Sequence, residues 1–424
     1  MAYPALIKCL KNGYSFSFLK RDLLSGITVA IVAIPLSIAF AIASGATPTT
    51  GLFTAIIGGF IVSAFGGSKF NISGPAGAFI GVIFSIISIH GYSGLLISTF
   101  LAGIFLFLMS IFKLGRFISK IPNVVVIGFS LGLGIDIFSG QIPDFLGFHC
   151  QGIPVFIKKW IAYFQHIKDI NLSSFIIGTI TIISALIVRK KFSKLPAFLI
   201  AILISSIITE IFDIKVETIY SRFGYIHIEI PEIQWNILEE VEHPTHLLQY
   251  IFPSLTIALL AGIEALLAAT IADKMTNTTH NSNMELFGQS IANLSLPLLG
   301  CLPVAGTTAR TIVNVKSGAK SPIAGMSHSI FILIFVMIFS NLISQINMPT
   351  IAGILIIVAT DMMSFKKVKN VIKNDTKINI TILFLTAILV PTIGIVYSIL
   401  INTCLFYFNQ RYYKNLTIKK NVSL

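Results

Sequence analysis

The sequence predicts an all-α integral membrane protein of fourteen transmembrane segments, arranged as two inverted sets of seven. Three observations lead there. Hydrophobic residues make up 55% of the 424 and charged residues only 11%, and the mean hydropathy of +0.88 lies outside the range of water-soluble domains. Apolar runs of membrane-crossing length recur along the chain, residues 95–112 and 195–212 among them. Marker residues of the first half return in the second at a nearly constant offset.

Fourteen apolar segments can be counted, two of them interrupted. The first begins after Lys20, Arg21 and Asp22 and runs on into further spans without an A-x-A-like cleavage site. It therefore reads as a span and not as a removable signal peptide.

The net charge of +13 is explained by where the basic residues fall. With a cytoplasmic N-terminus, 24 of the 30 Lys and Arg lie on inside segments, five lie outside (Lys158, Lys159, Lys168, Lys215, Arg222), and Arg310 lies within a span. That asymmetry predicts two cytoplasmic termini and a multi-pass protein of the cell membrane, with the lipid bilayer as partner and no nucleic acid. The longest outside loop, 213–246, carries Glu217, Glu229, Glu232, Glu239, Glu240 and Glu242 and a strand-like alternation at 226–230. It is expected to be a solvated lid. Cys9, Cys150, Cys301 and Cys404 have no paired spacing, so neither a metal site, a cofactor nor a disulfide framework is expected.

The repeat pairs Gly77 with Gly306 (229 residues apart), Pro122 with Pro349 (227) and Asp136 with Asp361 (225). Seven segments separate the partners, an odd number, which makes the halves opposite in topology. Around the first marker, 70–74 is too polar and Gly-rich for a helix, and Pro75 opens a short apolar helix that ends near His90. Fifteen residues of helix reach about 22 Å, against about 30 Å of hydrocarbon. This third segment must therefore begin near the midplane. The tenth repeats the pattern, with 300–303 leading into a helix from Val304 to Val315. Two half-helices are thus expected to point their N-termini at one another, and their unpaired amides and dipoles suit an anion. Two kinked helices packed closely on glycine is the plainer alternative.

Arg310 falls in the opening turns of the second half-helix, with Thr307 and Thr308 placed to cap it or to bond an oxyanion. An intramembrane arginine is a functional candidate by default, with a structural ion pair as its alternative. Glu264 is the only acid in the middle of its span. It suits proton coupling or the neutralisation of Arg310. Asp136 lies toward the outer end of its span and reads as a residue reaching for water, Asp273 as a cap or a partner of Lys274, and His280 and His328 as polar packing.

Several blocks resemble the SulP family of anion permeases: 22–30 with Pro35 and Leu36, 72–79 after Gly66 and Gly67, 263–267 leading to Ala272 and Asp273, 280–286, and 309–315 with 317–319 and 322–325. The likeness runs in family order from about residue 20 to 410. It implies a core domain (about 22–116 and 250–345) and a gate domain (about 121–213 and 347–408) that move in an elevator-like way, in a chain that is usually a homodimer. Residues 1–21 and 409–424 are then cytoplasmic ends, without the STAS domain that usually follows in the family. Carried over by position, Ala76, Gly77 and Ala78 supply one side of the anion cradle, Thr308, Ala309 and Arg310 the other, Phe40 a wall, and Glu264 the carboxylate of span 8. Sodium-coupled bicarbonate relatives are expected to have an aspartate, a threonine and a glycine where this chain has Glu264, Ala268 and Arg310. A guanidinium there excludes sodium, which favours proton coupling or anion exchange.

The expected function is secondary transport of a small inorganic oxyanion, sulfate or bicarbonate-like, by proton symport or exchange. A channel or voltage-responsive protein of the same fold, and a nucleobase carrier of the same fold, are the alternatives. An enzyme is disfavoured, because no H-E-x-x-H helix and no serine with a placed base is found.

Overall fold

The computed structural model describes residues 3–115, 121–150, 153, 155–192, 195–226, 231–235 and 244–422. Among these, eight helices are long and apolar enough to cross a membrane. In chain order they are α1 (Phe16–Ala43), α2 (Pro48–Phe65), α3 (Gly77–Ile111), Asn123–Leu146, Leu172–Lys191, Leu247–Thr276, Ile323–Ser344 and Met348–Asn374.

Eight is fewer than the fourteen segments counted in the sequence, and five of the expected segments take another form. Gly91, at φ 70°, breaks α3 into two helices one residue beyond the predicted end at His90. Ala197–Ile211 and Lys377–Ile393 are apolar but shorter than eighteen residues. Ser282–Leu298 has seventeen residues and carries buried Glu285, Gln289 and Asn293, and Thr308–Lys316 has only nine.

Both half-helices begin later than the sequence predicts. The chain enters them through two short strands, β1 (Ser73–Gly74) and β2 (Ala305–Gly306), paired antiparallel with Ser73 opposite Gly306 and Gly74 opposite Ala305. Pro75 and Val304, read as first helical turns, lie outside any helix. Helical structure starts at Gly77 in one half and at Thr308 in the other. In α2, at the start of a π-turn over Thr54–Gly58, the Thr54 hydroxyl accepts the Leu302 amide at 2.9 Å, just ahead of β2.

Around this centre the helices pack closely. The helix Asn123–Gly140 lies against Met348–Met363 and Lys377–Ile393, while α1 lies against Ile323–Ser344 and α3 against Ser282–Leu298. Large apolar side chains such as Ile207, Ile211, Leu342 and Ile388 stay exposed, as expected where hydrocarbon is the solvent.

Of the outside loop, 227–230 and 236–243 lie beyond the described residues, and with them most of the alternating stretch and Glu229, Glu239, Glu240 and Glu242. Arg116, Lys120 and Lys194 lie beyond them too. In the described part, Arg222 bonds both carboxylate oxygens of Glu217 and reaches Asp144 at 2.7 Å. The hydrogen bond from Arg222 holds the Glu217 carboxyl below the ordinary carboxylate range. A depressed folded-state pKa contributes stability above the unfolded pKa, and the contribution is lost as pH falls through the folded one. Arg222→Ala is expected to lower the melting temperature measured at neutral pH by a few degrees, corresponding to about 1 kcal/mol for a partly exposed pair. The difference from the parent chain should shrink on acidification below the carboxylate range, and a difference independent of pH would contradict the assignment.

Candidate anion site

The site is assembled from backbone that has left the helical form inside an apolar layer, so each freed polar group needs a partner. The Ile72 carbonyl accepts from both the amide (2.8 Å) and the hydroxyl (3.0 Å) of Thr307. The Ile72 amide donates to the Thr311 hydroxyl at 3.0 Å. Thr307 thus spends its hydroxyl on the neighbouring broken span instead of capping its own helix.

A polar stripe on Ser282–Leu298 secures the rest. Glu285 accepts the Gly67 and Ser68 amides at 2.9 Å each, and its other oxygen accepts the Asn71 side chain at 2.5 Å. Gln289 donates to Ser73 Oγ at 2.9 Å. Asn293 clamps both the amide and the carbonyl of Val304. These three residues are spaced by four, hence stacked on one helix face. The sequence reading named Glu285 only inside a family block and missed the stripe. Polar residues at i, i+4 and i+8 in an otherwise apolar span were the available signal.

Arg310 is fully buried. Its Nη2 donates to Ser37 Oγ at 3.1 Å and reaches the Pro75 carbonyl at 3.5 Å, whereas Nε and Nη1 have no partner among the described residues. The guanidinium lies against Gly74: a Cβ there would stand 2.1 Å from Nη1. The unpaired face of the cation is therefore placed at β1, between the two helix starts.

Ala76, Gly77, Ala78 and Phe40 are buried around the first helix start. Thr307 is buried, Thr308 half-buried and Ala309 exposed at the second. Phe40 closes on Gly77, with Cε1 3.3 Å from where a Cβ would sit. Glu264 is half-buried on the helix Pro244–Thr276, whose Ala265 Cα packs 2.8 Å from the Cβ position of Gly306. Among the described residues Glu264 has neither an ion pair nor a hydrogen bond, so it does not neutralise Arg310 by direct contact.

Asp136 pairs with Lys159 at 3.3 Å and lines an open cavity of about 450 Å³, part-exposed as its place near a span end suggests. Two other readings change. Asp273 holds the His280 ring at 2.6 Å and its amide at 2.8 Å, and Thr278 at 2.9 Å, rather than Lys274. His328 is buried with both ring nitrogens unpartnered among the described residues. The four cysteines are free, and no metal-ligating cluster occurs among the described residues.

Residues 19–386 match the model of the sulfate permease family. The chain belongs to this family. It is 38% identical over 365 residues to the putative sulfate transporter YvdB of Bacillus subtilis, covering 85% of this chain and 68% of that protein. To the bicarbonate transporter BicA of Picosynechococcus it is 30% identical over 378 residues, covering 85% of this chain and 64% of BicA. The chain thus spans about two thirds of the length of these relatives. Among solved structures, the transmembrane domain of a cyanobacterial BicA superposes with a TM-score of 0.76 at 27% identity, over 92% of this chain and 98% of that one. SLC26A9 shares the fold with a TM-score of 0.80 at 13% identity, over 95% of this chain and 67% of the other. Membership makes the chain a multi-pass membrane anion transporter of this family.

Gly74→Ala tests the geometry of the cradle. The added methyl cannot coexist with Nη1 at its present place, so either Arg310 swings out or β1 parts from β2. A loss of about 1–3 kcal/mol is expected from such overpacking, read as a lower melting temperature in detergent. Unchanged stability would mean that Arg310 does not lie against Gly74.

Proposed function

We propose that the chain is a secondary active transporter of a small inorganic oxyanion, sulfate or bicarbonate-like, which binds between the two half-helix N-termini. One observation carries the reading: a fully buried guanidinium with Nε and Nη1 unpartnered beside two helix starts. An intramembrane arginine costs about 3 kcal/mol or more at a span's centre unless compensated. An anion would offset that cost and meet the opening amides of both helices at once. Ala76, Gly77 and Ala78 form one side of this cradle, Thr307, Thr308, Ala309 and Arg310 the other, and Phe40 its wall.

The same proposal includes fourteen spans in a 7+7 inverted repeat, a core that carries the cradle, a gate domain that stays in place, and a homodimer with cytoplasmic termini. In it, Glu264 takes a proton, because a carboxylate without a partner in an apolar layer gains from neutralisation. Proton symport or anion exchange follows, with access alternating as the core shifts. YvdB, named as a putative sulfate transporter, and BicA, named as a bicarbonate transporter, support these two oxyanions as the first substrates to test.

Uptake of labelled sulfate and of bicarbonate into proteoliposomes, with and without an imposed pH gradient, is the deciding measurement. Saturable uptake of at least one anion is expected, and Arg310→Ala should reduce it by at least a hundredfold. Glu264→Gln is expected to keep binding but to flatten the pH dependence of uptake. Wild-type rates in Arg310→Ala would remove the site, and currents that do not saturate with substrate would favour a channel.

A further inference from the structure

We propose that Ile137 and Met362 are the two apolar walls that the anion passes on its way to and from the cradle, one on its Lys159 side and one on its Lys366 side. The inference rests on the anion site above and extends it to the path.

Gly77 is where three apolar groups from three helices converge. A Cβ built there would meet Met362 Sδ at 3.3 Å, Phe40 Cε1 at 3.3 Å and Ile137 Cδ1 at 3.5 Å. Phe40 belongs to α1, whereas Ile137 and Met362 belong to Asn123–Gly140 and Met348–Met363. Ile137 and Met362 stand 225 residues apart, the same offset that relates Asp136 to Asp361. Each wall residue directly follows its aspartate, and each aspartate is held by a basic side chain from another helix. Asp136 pairs with Lys159 at 3.3 Å, and Asp361 with Arg189 at 2.9 Å. Two counterpart positions in the two halves thus meet on one glycine, each beside a tethered carboxylate. Chance packing gives no reason for that correspondence.

Solvent access differs between the two. The 450 Å³ cavity that holds Lys159 and His90 reaches Ile80, Gly81 and Asp136 and stops there, with neither Gly77 nor Arg310 on its wall. Ile137, only 2% exposed, lies next in the chain and closes the way to Gly77. Met362 is half-buried, and Ala309 at the second helix start is exposed. Ile137 is then the wall toward the Lys159 cavity, and Met362, the less buried of the two, the wall toward Lys366. An anion leaving water must shed part of its hydration to slip past either residue, because neither offers a hydrogen bond. The volume of the Met362 side chain then limits which anions enter.

The test places single cysteines in a chain carrying Cys9→Ser, Cys150→Ser, Cys301→Ala and Cys404→Ser, reconstituted in proteoliposomes. Ile137→Cys and Met362→Cys are each exposed to an anionic, membrane-impermeant thiosulfonate from either side. Met362→Cys is expected to react only from the Lys366 side. Ile137→Cys should react only from the Lys159 side and at least tenfold more slowly. Saturating sulfate or bicarbonate, whichever is transported, should slow both at least threefold. Reaction of both from one side, or rates indifferent to the anion, would overturn the proposal. The unsubstituted chain gives an independent readout, because sulfoxide formation at Met362 can be followed by mass spectrometry against exposed Met275. Protection of Met362 alone by the anion is expected, and equal oxidation with and without it counts against the proposal. Flux through the parent chain is measured in parallel. No flux of any anion would strike at the transport reading, whereas normal flux with same-sided labelling would strike only at the walls.

Discussion

The pairing of Ser73–Gly74 with Ala305–Gly306 is the constraint on which the rest depends. Backbone that leaves the helical form between buried apolar helices has amides and carbonyls out of reach of water, and each unsatisfied group there costs several kcal/mol. Four residues cannot satisfy all of them, so a shell of side chains completes the account. Glu285, Gln289 and Asn293 serve it from one helix, Thr311 and Asn314 from the second half-helix, and Thr54 from the π-turn. A broken backbone in hydrocarbon is therefore a specified structure and not a loose one.

That rigidity gives Arg310 its meaning. A flexible junction would let the guanidinium turn toward carbonyls and spend its donors locally. Here Ser37 and Pro75 occupy Nη2, Gly74 leaves just enough room for Nη1, and Nε and Nη1 keep their capacity. The cation is held in place by partners that do not saturate it, which is the condition for binding a mobile anion reversibly.

Much of this was legible in the sequence. Gly66–Gly67 and Gly300 mark the approaches to the broken spans, and the offset of Gly77 to Gly306 ties them together. Arg310 declared itself as a charge in an apolar run. The starting residues of the half-helices were not legible, because a two-residue strand has no periodicity, and Pro75 and Val304 suit a first helical turn as well as an extended one. Asp136 was legible as a carboxylate near a span end that can reach water, but its partner was not, because Lys159 lies on a separate helix 23 residues later.

In the proposed transport cycle, Glu264 and Arg310 would bear on movement. Two opposite charges within one fold would ordinarily find one another, since a formed pair recovers part of the desolvation cost. Among the described residues no ion pair joins them, and Arg310 keeps two unpartnered donor nitrogens. A locked pair would neutralise the site permanently and leave nothing for an anion to contribute. On the proposed function, separate charges would leave the net charge of the core to be set by what is bound: an anion at one, a proton at the other. A body that must cross an apolar barrier moves most readily when its charges are compensated. In that proposed cycle, keeping the compensation in the ligands, rather than in an internal ion pair, would make movement conditional on cargo.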